Sequence, residues 1–97
     1  MFNYHVRQTV KIRHWLPILT YCPVNSLPDL IYVTLTFEDQ LVELYTVRKT
    51  VRKLVSGKKL YMEEIASTVA DLYTNAIEVK VTLMFGRHEV TLKRIKL

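Results

Sequence analysis

The sequence predicts a two-layer α+β domain with the element order ββααββ, and two hydrophobic periods support that prediction. Apolar and polar residues alternate near both ends of the chain, which is typical of half-buried strands. Between these regions, apolar residues recur at steps of three and four, which indicates two amphipathic helices. Because an antiparallel sheet with one apolar face needs a cover, we expect both helices to pack on that face. Residues 1–97 are expected to form a single domain.

The first strand is predicted over residues 2–13. Its two faces alternate, with Phe2, Tyr4, Val6, Val10 and Ile12 on the apolar side. The next segment, from Trp15 to Asp29, contains all three prolines, Pro17, Pro23 and Pro28, and proline interrupts regular strand pairing. We expect this segment to be the longest loop, and long loops in compact domains are often functional.

The remaining elements follow from the same two periods. The run Leu30–Phe37 is rich in β-branched and aromatic residues and predicts the second strand. Steps of three and four predict one helix from Leu44 to Val55, ended by Ser56-Gly57, and another from Met62 to Tyr73. Alternation then predicts a strand over Ile77–Phe85, a tight turn at Gly86 and a returning strand over Val90–Ile95.

The charge of the chain is positive and clustered. Fourteen Lys and Arg against nine Asp and Glu give a formal charge of +5, with a pI near 9.5. Four of the cations, Arg48, Lys49, Arg52 and Lys53, share one arc of the first predicted helix, and Tyr45 lies in the same arc. Such an arc can bind phosphates and stack on a base, as in RNA recognition. The alternative interpretation is an ordinary solvated helix face.

Composition excludes several classes of protein. No apolar run approaches the ~18 residues that span a bilayer, and the first residues contain no signal-peptide h-region, so we expect a cytoplasmic protein without a membrane partner. The single cysteine, Cys22, cannot form an internal disulfide. One thiol and three scattered histidines make a poor metal cage, so no metal site is predicted.

Cys22 is the first candidate for chemistry. It lies in the proline-containing segment, and Asp29 follows at the far end of that segment, just before the second strand. A thiol nucleophile needs a neighbouring group that manages protons, and a carboxylate held by a rigid loop can do so. The alternative interpretation is a buried structural cysteine, because free Cys is among the most buried residue types.

Two glutamates at helix starts are further candidates. Glu63 opens the second predicted helix, where the helix dipole favours an ionised carboxylate. Glu43 lies in the first turn of the first helix beside the apolar stripe, where a carboxylate would need a partner. A purely structural role at the helix start remains the alternative for both.

These residues resemble the 7-cyano-7-deazaguanine (nitrile) reductase family of the tunnelling fold. The resemblance covers roughly Leu19 to His88 and rests on Cys22-Pro23-Val24, Leu27-Pro28-Asp29, Val42-Glu43-Leu44, the helix opening at Glu63, and Phe85 with Arg87. It implies that the sheets of neighbouring subunits join into a ring barrel with active sites at the interfaces. It also implies pentamers that stack into a decamer.

The resemblance assigns roles to the candidates. Cys22 would attack the nitrile carbon to give a covalent thioimide, Asp29 would transfer protons, and Glu63 would bind the base. Glu43 is a further candidate for binding or positioning the substrate. The chemistry is consistent, because a nitrile yields to a thiolate and a guanine-like edge offers N–H donors to a carboxylate.

The sequence also departs from the reductase pattern. The reductases bind NADPH phosphates with a Glu-Leu-Lys-Ser-Leu-Lys type element, but Tyr45 replaces its first lysine here. Met62 replaces the histidine of the reductase His-Glu pair, and Arg87-His88-Glu89 replaces Arg-Gly-Gly. The NADPH site therefore looks lost, and no resident cofactor is expected.

The departures instead indicate the short archaeal branch of the family. That resemblance implies an amidinotransferase that converts 7-cyano-7-deazaguanine already in tRNA into archaeosine, with free ammonium as the nitrogen donor. The expected partners are tRNA, the 7-cyano-7-deazaguanine base, ammonium and further copies of this chain. Two alternatives remain open: an NADPH-dependent nitrile reductase, and a non-catalytic RNA-binding module that keeps the fold.

Overall fold

A computed structural model describes residues 11–40 and 42–94 of the chain. Its elements are β1 (Lys11–Tyr21), β2 (Pro28–Glu38), α1 (Leu44–Val55), α2 (Met62–Leu72), β3 (Glu78–Leu83) and β4 (Glu89–Lys93). The strands form one antiparallel sheet in the order β1-β2-β3-β4. The predicted α+β class and the order ββααββ are confirmed. Neither helix of the described chain is long and apolar enough to cross a membrane.

The core lies between the sheet and the two helices. The fully or almost fully buried strand residues are Leu16, Ile18, Ile31, Val33, Leu35, Phe37, Val79 and Val81, and the helices add Val47, Val51, Val55, Ile65, Ala66 and Val69. These residues have the predicted spacings of two in β2 and β3 and three or four in the helices, and Leu16 and Ile18 continue the spacing of two into the segment predicted as a loop. Burying one large aliphatic side chain contributes roughly 1.5–3 kcal/mol, so this shared face holds both helices on one side of the sheet.

The predicted loop from Trp15 to Asp29 is wrong at both ends. β1 continues through Pro17 to Tyr21, and β2 begins at Pro28, so Asp29 is inside a strand. Within the described residues β1 pairs with β2 alone, and a proline fits an edge strand when its nitrogen faces away from the partner. Every second side chain of β1 remains buried beyond Pro17, so the burial of these side chains keeps the segment in the sheet despite the proline. Residues 2–10 of the predicted first strand lie outside the described residues.

Three connections meet at one end of the sheet. The β1–β2 loop is reduced to residues 22–27. The connection from α1 to α2 runs beside it, because the Tyr21 N–H donates to Lys58 O at 3.0 Å and the Leu60 N–H donates to Tyr21 O at 3.2 Å. The β3–β4 turn joins them, and its Met84 N–H donates to Leu30 O at 2.9 Å. Residues far apart in the sequence are thereby brought to one corner of the domain.

Candidate active site

Hydrogen bonds between its two ends close the loop that carries Cys22. The Cys22 N–H donates to Leu27 O at 2.9 Å, and the Ser26 N–H donates to Cys22 O at 2.8 Å. The Asn25 side-chain oxygen accepts a further hydrogen bond from the Leu27 N–H at 3.0 Å. Ser26 lies in the left-handed region with φ 60°, which lets the chain reverse within six residues. These bonds hold the Cys22 backbone at the end of β1.

A cleft of about 260 Å³ opens beside this loop. Its walls come from the β1–β2 loop, the start of β2, the start of α2 and the β3–β4 connection; the lining residues are Cys22, Pro23, Asp29, Leu60, Tyr61, Met62, Glu63, Leu83 and His88. The volume is just below the usual range for drug-sized ligands, about 300–1,000 Å³, and suits a molecule the size of a nucleobase. Three predicted site residues, Cys22, Asp29 and Glu63, thus line one cleft.

The environments of Cys22 and Asp29 suit reactive groups. Cys22 is half-buried and lines the cleft, so the residue is accessible to a small molecule and is not part of the core. Asp29 is also half-buried, and as the second residue of β2 it pairs with Thr20 across the ladder. The strand pairing fixes its backbone more firmly than the loop position expected from the sequence.

Two adjacent carboxylates in the first turn of α2 have different partners. The Tyr61 N–H at the helix start donates to Oε1 of Glu64 at 3.0 Å, so Glu64 caps the helix. Glu63 instead lines the cleft, with its Oε1 at 3.5 Å from Nε2 of His88. Both side chains of this pair are more than half exposed. Glu63 is therefore available to accept hydrogen bonds from a ligand.

Sequence reasoning missed most of the cleft wall. The sequence pattern assigns no site role to His88, yet the β3–β4 turn carries it to the cleft. Leu60, Tyr61 and Leu83 supply apolar and aromatic walls. A usable signal existed for Tyr61, which precedes the helix that Glu63 opens, whereas His88 depends on the order of strands in the sheet.

Glu43 lies outside this cleft. It caps α1, where its carboxylate accepts hydrogen bonds from the Tyr45 N–H at 2.6 Å, the Thr46 N–H at 2.7 Å and the Thr46 hydroxyl at 2.5 Å. The hydrogen bond from the Thr46 hydroxyl, followed by the two from backbone N–H groups, lowers the pKa of Glu43 below its ordinary value. α1 is 12 residues long and its other end faces β1 near the cleft, so Glu43 is roughly 18 Å away along the helix.

His14 is also remote from Cys22. It is buried in the core face of β1, with its ring centroid 5.6 Å from that of Phe37 in an edge-to-face contact. Desolvation lowers the pKa of His14, while the Val42 backbone and the Glu43 charge oppose that change. His14 therefore acts as an uncharged core residue.

The predicted basic arc lies on the exposed side of α1. Tyr45, Arg48, Lys49 and Arg52 line a second concave surface of about 310 Å³, and Lys53 is exposed on the same helix. The Nε of Arg48 is buried without a hydrogen-bond partner among the described residues. In residues 11–40 and 42–94, no group of three or more His, Cys, Asp or Glu side chains is placed to hold a metal ion.

No family model matches this sequence, and no curated protein matches it. Among solved structures, the chain is similar to the archaeosine synthase QueF-Like in its apo form, with 19% sequence identity and a TM-score of 0.59. The match covers 91% of this chain and 94% of that protein. The two proteins therefore share a fold over nearly their whole lengths.

Proposed function

We propose that this chain is a tRNA-modifying amidinotransferase, which converts the nitrile of 7-cyano-7-deazaguanine in tRNA to the amidine of archaeosine with free ammonium. The observation that carries the proposal is the presence of Cys22, Asp29 and Glu63 in one base-sized cleft. The shared fold with a protein named as an archaeosine synthase supports the same substrate class.

In the first step, the Cys22 thiolate adds to the nitrile carbon. A C–S bond forms as one π bond of the nitrile breaks, and the electron pair moves to the nitrogen. Asp29 lines the same cleft and, in its protonated form, donates a proton to that nitrogen. The product is a thioimide that joins the base to Cys22, and no atom has been expelled.

In the second step, ammonia adds to the thioimide carbon and gives a tetrahedral intermediate. The Asp29 carboxylate accepts a proton from the added nitrogen, the C–S bond breaks, and the Cys22 thiolate leaves with the bonding electron pair. The amidine remains on the base. The sum of both steps is addition of one ammonia to the nitrile, so the reaction requires no oxidant or reductant.

Glu63 binds the base in this scheme. The N–H donors of a guanine-like edge need an acceptor, and Glu63 is the cleft carboxylate that neither caps a helix nor transfers protons. A hydrogen bond to a charged acceptor contributes about 1.5–3 kcal/mol, which is enough to select a base with an N–H edge. Tyr61, Leu83 and Leu60 would cover its apolar faces.

The basic arc of α1 is proposed to bind the tRNA backbone. Its cations would contact phosphates, and Tyr45 would stack on a base. Tyr45 carries no charge at the position where the reductases place their first cofactor lysine, which favours ammonium over NADPH as the second reactant. Accordingly no resident cofactor enters the proposal.

The test measures intact protein mass after incubation with free 7-cyano-7-deazaguanine. We expect the protein mass to increase by that of the entire base, because nitrile addition expels nothing, and we expect no adduct with Cys22→Ala. Asp29→Asn is isosteric and should fold normally but form the adduct about 10²-fold more slowly. Asp71→Asn, which changes an exposed acid at the end of α2, is the matched control and should behave as the wild type.

A chase of the adduct separates the alternatives. Ammonium should release an amidine and restore the unmodified protein mass, and the same amidine should form on tRNA that contains the nitrile base. NADPH oxidation after addition of the nitrile would instead establish a reductase. Salt-sensitive tRNA binding without any adduct would contradict catalysis and leave an RNA-binding module.

A further inference from the structure

Among the described residues that line the cleft, His88 is the polar side chain to which the proposed reaction gives no role. It lies at the end of the β3–β4 turn, and its backbone is fixed because the Leu83 N–H donates to His88 O at 3.0 Å. The turn passes through Gly86 at φ 143°, a backbone conformation that side-chain-bearing residues rarely adopt. Its imidazole Nε2 lies 3.5 Å from Oε1 of Glu63, which lines the same cleft.

We propose that His88 is a positioning residue for Glu63, and this rests on the proposed function. Glu63 is in the first turn of α2, and nearly two thirds of its side chain is exposed, so several rotamers are open to it. The contact with His88 holds the carboxylate toward the cleft, where the N–H edge of the base would lie. Without His88, the carboxylate would have to be ordered when the base binds, and that ordering costs affinity.

The contact should affect ligand binding more than folding. A polar contact between two exposed side chains contributes little to stability, because water competes for both groups and holding them together costs side-chain entropy. A base that fills the cleft displaces water from this pair, and the interaction strengthens in the lower effective dielectric. We therefore expect a change at His88 to alter the concentration of base that half-saturates the site, with an unchanged melting temperature.

The experiment follows the rate of Cys22 adduct formation against the concentration of free 7-cyano-7-deazaguanine. His88→Ala should raise the half-saturating concentration about tenfold, because the Glu63 side chain must then be ordered as the base binds, and leave the maximal rate within about twofold. His88→Gln keeps an N–H donor near the Nε2 position and should restore most of the affinity. Glu89→Gln, the next residue in the chain, lies on β4 against Lys80 and is the control.

A double-variant cycle tests whether His88 acts through Glu63. Adding His88→Ala to Glu63→Gln should have no further effect, because the carboxylate to be positioned is already gone. Independent, multiplicative effects of the two changes would overturn the inference, as would wild-type affinity in His88→Ala. If the wild-type protein forms no adduct at all, the proposed function fails and this inference fails with it; wild-type adduct with unaffected His88→Ala overturns the inference alone.

Discussion

At the scale of single residues, neighbouring carboxylates differ in role because the backbone gives them different partners. Glu64 accepts a hydrogen bond from the backbone N–H at the start of α2, while Glu63, one position earlier, faces the cleft and His88. Glu43 satisfies two backbone N–H groups at the start of α1. Acidic residues at helix starts are stabilising for general reasons, so composition alone cannot separate a cap from a ligand-binding group.

Glu43 offers a test of its capping role. Glu43→Ala leaves two N–H groups of α1 without their acceptor, and we expect the melting temperature at pH 7 to fall by a few degrees. Asp71 is an exposed acid near the C-terminal end of α2, so Asp71→Ala should not destabilise the protein and serves as the control. An unchanged melting temperature in Glu43→Ala would contradict the capping role.

The capping role also predicts a pH dependence. The hydrogen bonds lower the pKa of Glu43 in the folded state, so the folded protein releases this proton more readily than the unfolded chain. The stability that Glu43 contributes is therefore complete above its ordinary value of 4.5 and disappears as the pH falls through the lower folded pKa. Thermal unfolding of the wild type and of Glu43→Ala should be measured between pH 7 and pH 3. The difference between their melting temperatures should shrink as the pH falls.

The sequence predicts Cys22, Asp29 and Glu63 as site residues, and these three line one cleft together with His88, which the sequence does not predict. The first two are close in the chain and are joined by a short hairpin loop, so their proximity needs no tertiary knowledge. His88 reaches Glu63 because β3 pairs with β2 and α2 packs on the same sheet. Such long-range pairing leaves no local pattern around His88.

At the scale of elements, β1 shows how proline can mislead. The sequence predicts one loop that contains Pro17, Pro23 and Pro28. The structure places them in an edge strand, in a turn and at a strand start, respectively. Proline is tolerated at each of these positions for its own reason. The buried side chains at alternate positions, Leu16, Ile18 and Thr20, were the stronger signal. The helices were predictable because their apolar spacing had no such competitor.

α1 gives a prediction about the basic arc. If Lys49 contacts an RNA phosphate, Lys49→Ala should weaken tRNA binding and reduce the slope of log affinity against log salt by about one unit, because one fewer counterion is released. Tyr45→Ala should weaken binding but leave that slope unchanged, since stacking involves no counterion. Binding titrations at several salt concentrations measure both quantities.

Lys11→Ala is the control for this series, because it removes the same charge from an exposed position on β1. An equal loss of slope in Lys11→Ala would show that binding responds to net charge and not to the arc. A loss of slope in Tyr45→Ala would contradict the assignment of that residue to stacking.

At the scale of the whole molecule, the sheet leaves two edges. In the described residues, β1 and β4 each have one neighbouring strand. The end of the β1 edge is covered, since Gly57 and Lys58 hydrogen-bond to Leu19 and Tyr21. The sheet face that points away from the helices carries the exposed aromatic side chains Trp15 and Tyr32. Open edges favour pairing with another chain, and a closed ring removes them.

We therefore expect a homo-oligomer in which β1 of one subunit pairs with β4 of the next, and stacked pentamers are the assembly that the sequence resemblance implies. Light scattering after gel filtration should give a mass of five or ten times the 11.4 kDa of the chain.

The Tyr21 N–H points away from β2 toward Lys58, so the N–H groups of the other odd-numbered β1 residues point the same way. Arg13→Pro should remove an outward donor, keep the β1–β2 ladder and lower the mass, whereas Arg13→Ala should keep it. A wild-type mass of 11.4 kDa would contradict the ring, and an unchanged mass in Arg13→Pro would contradict pairing through this edge.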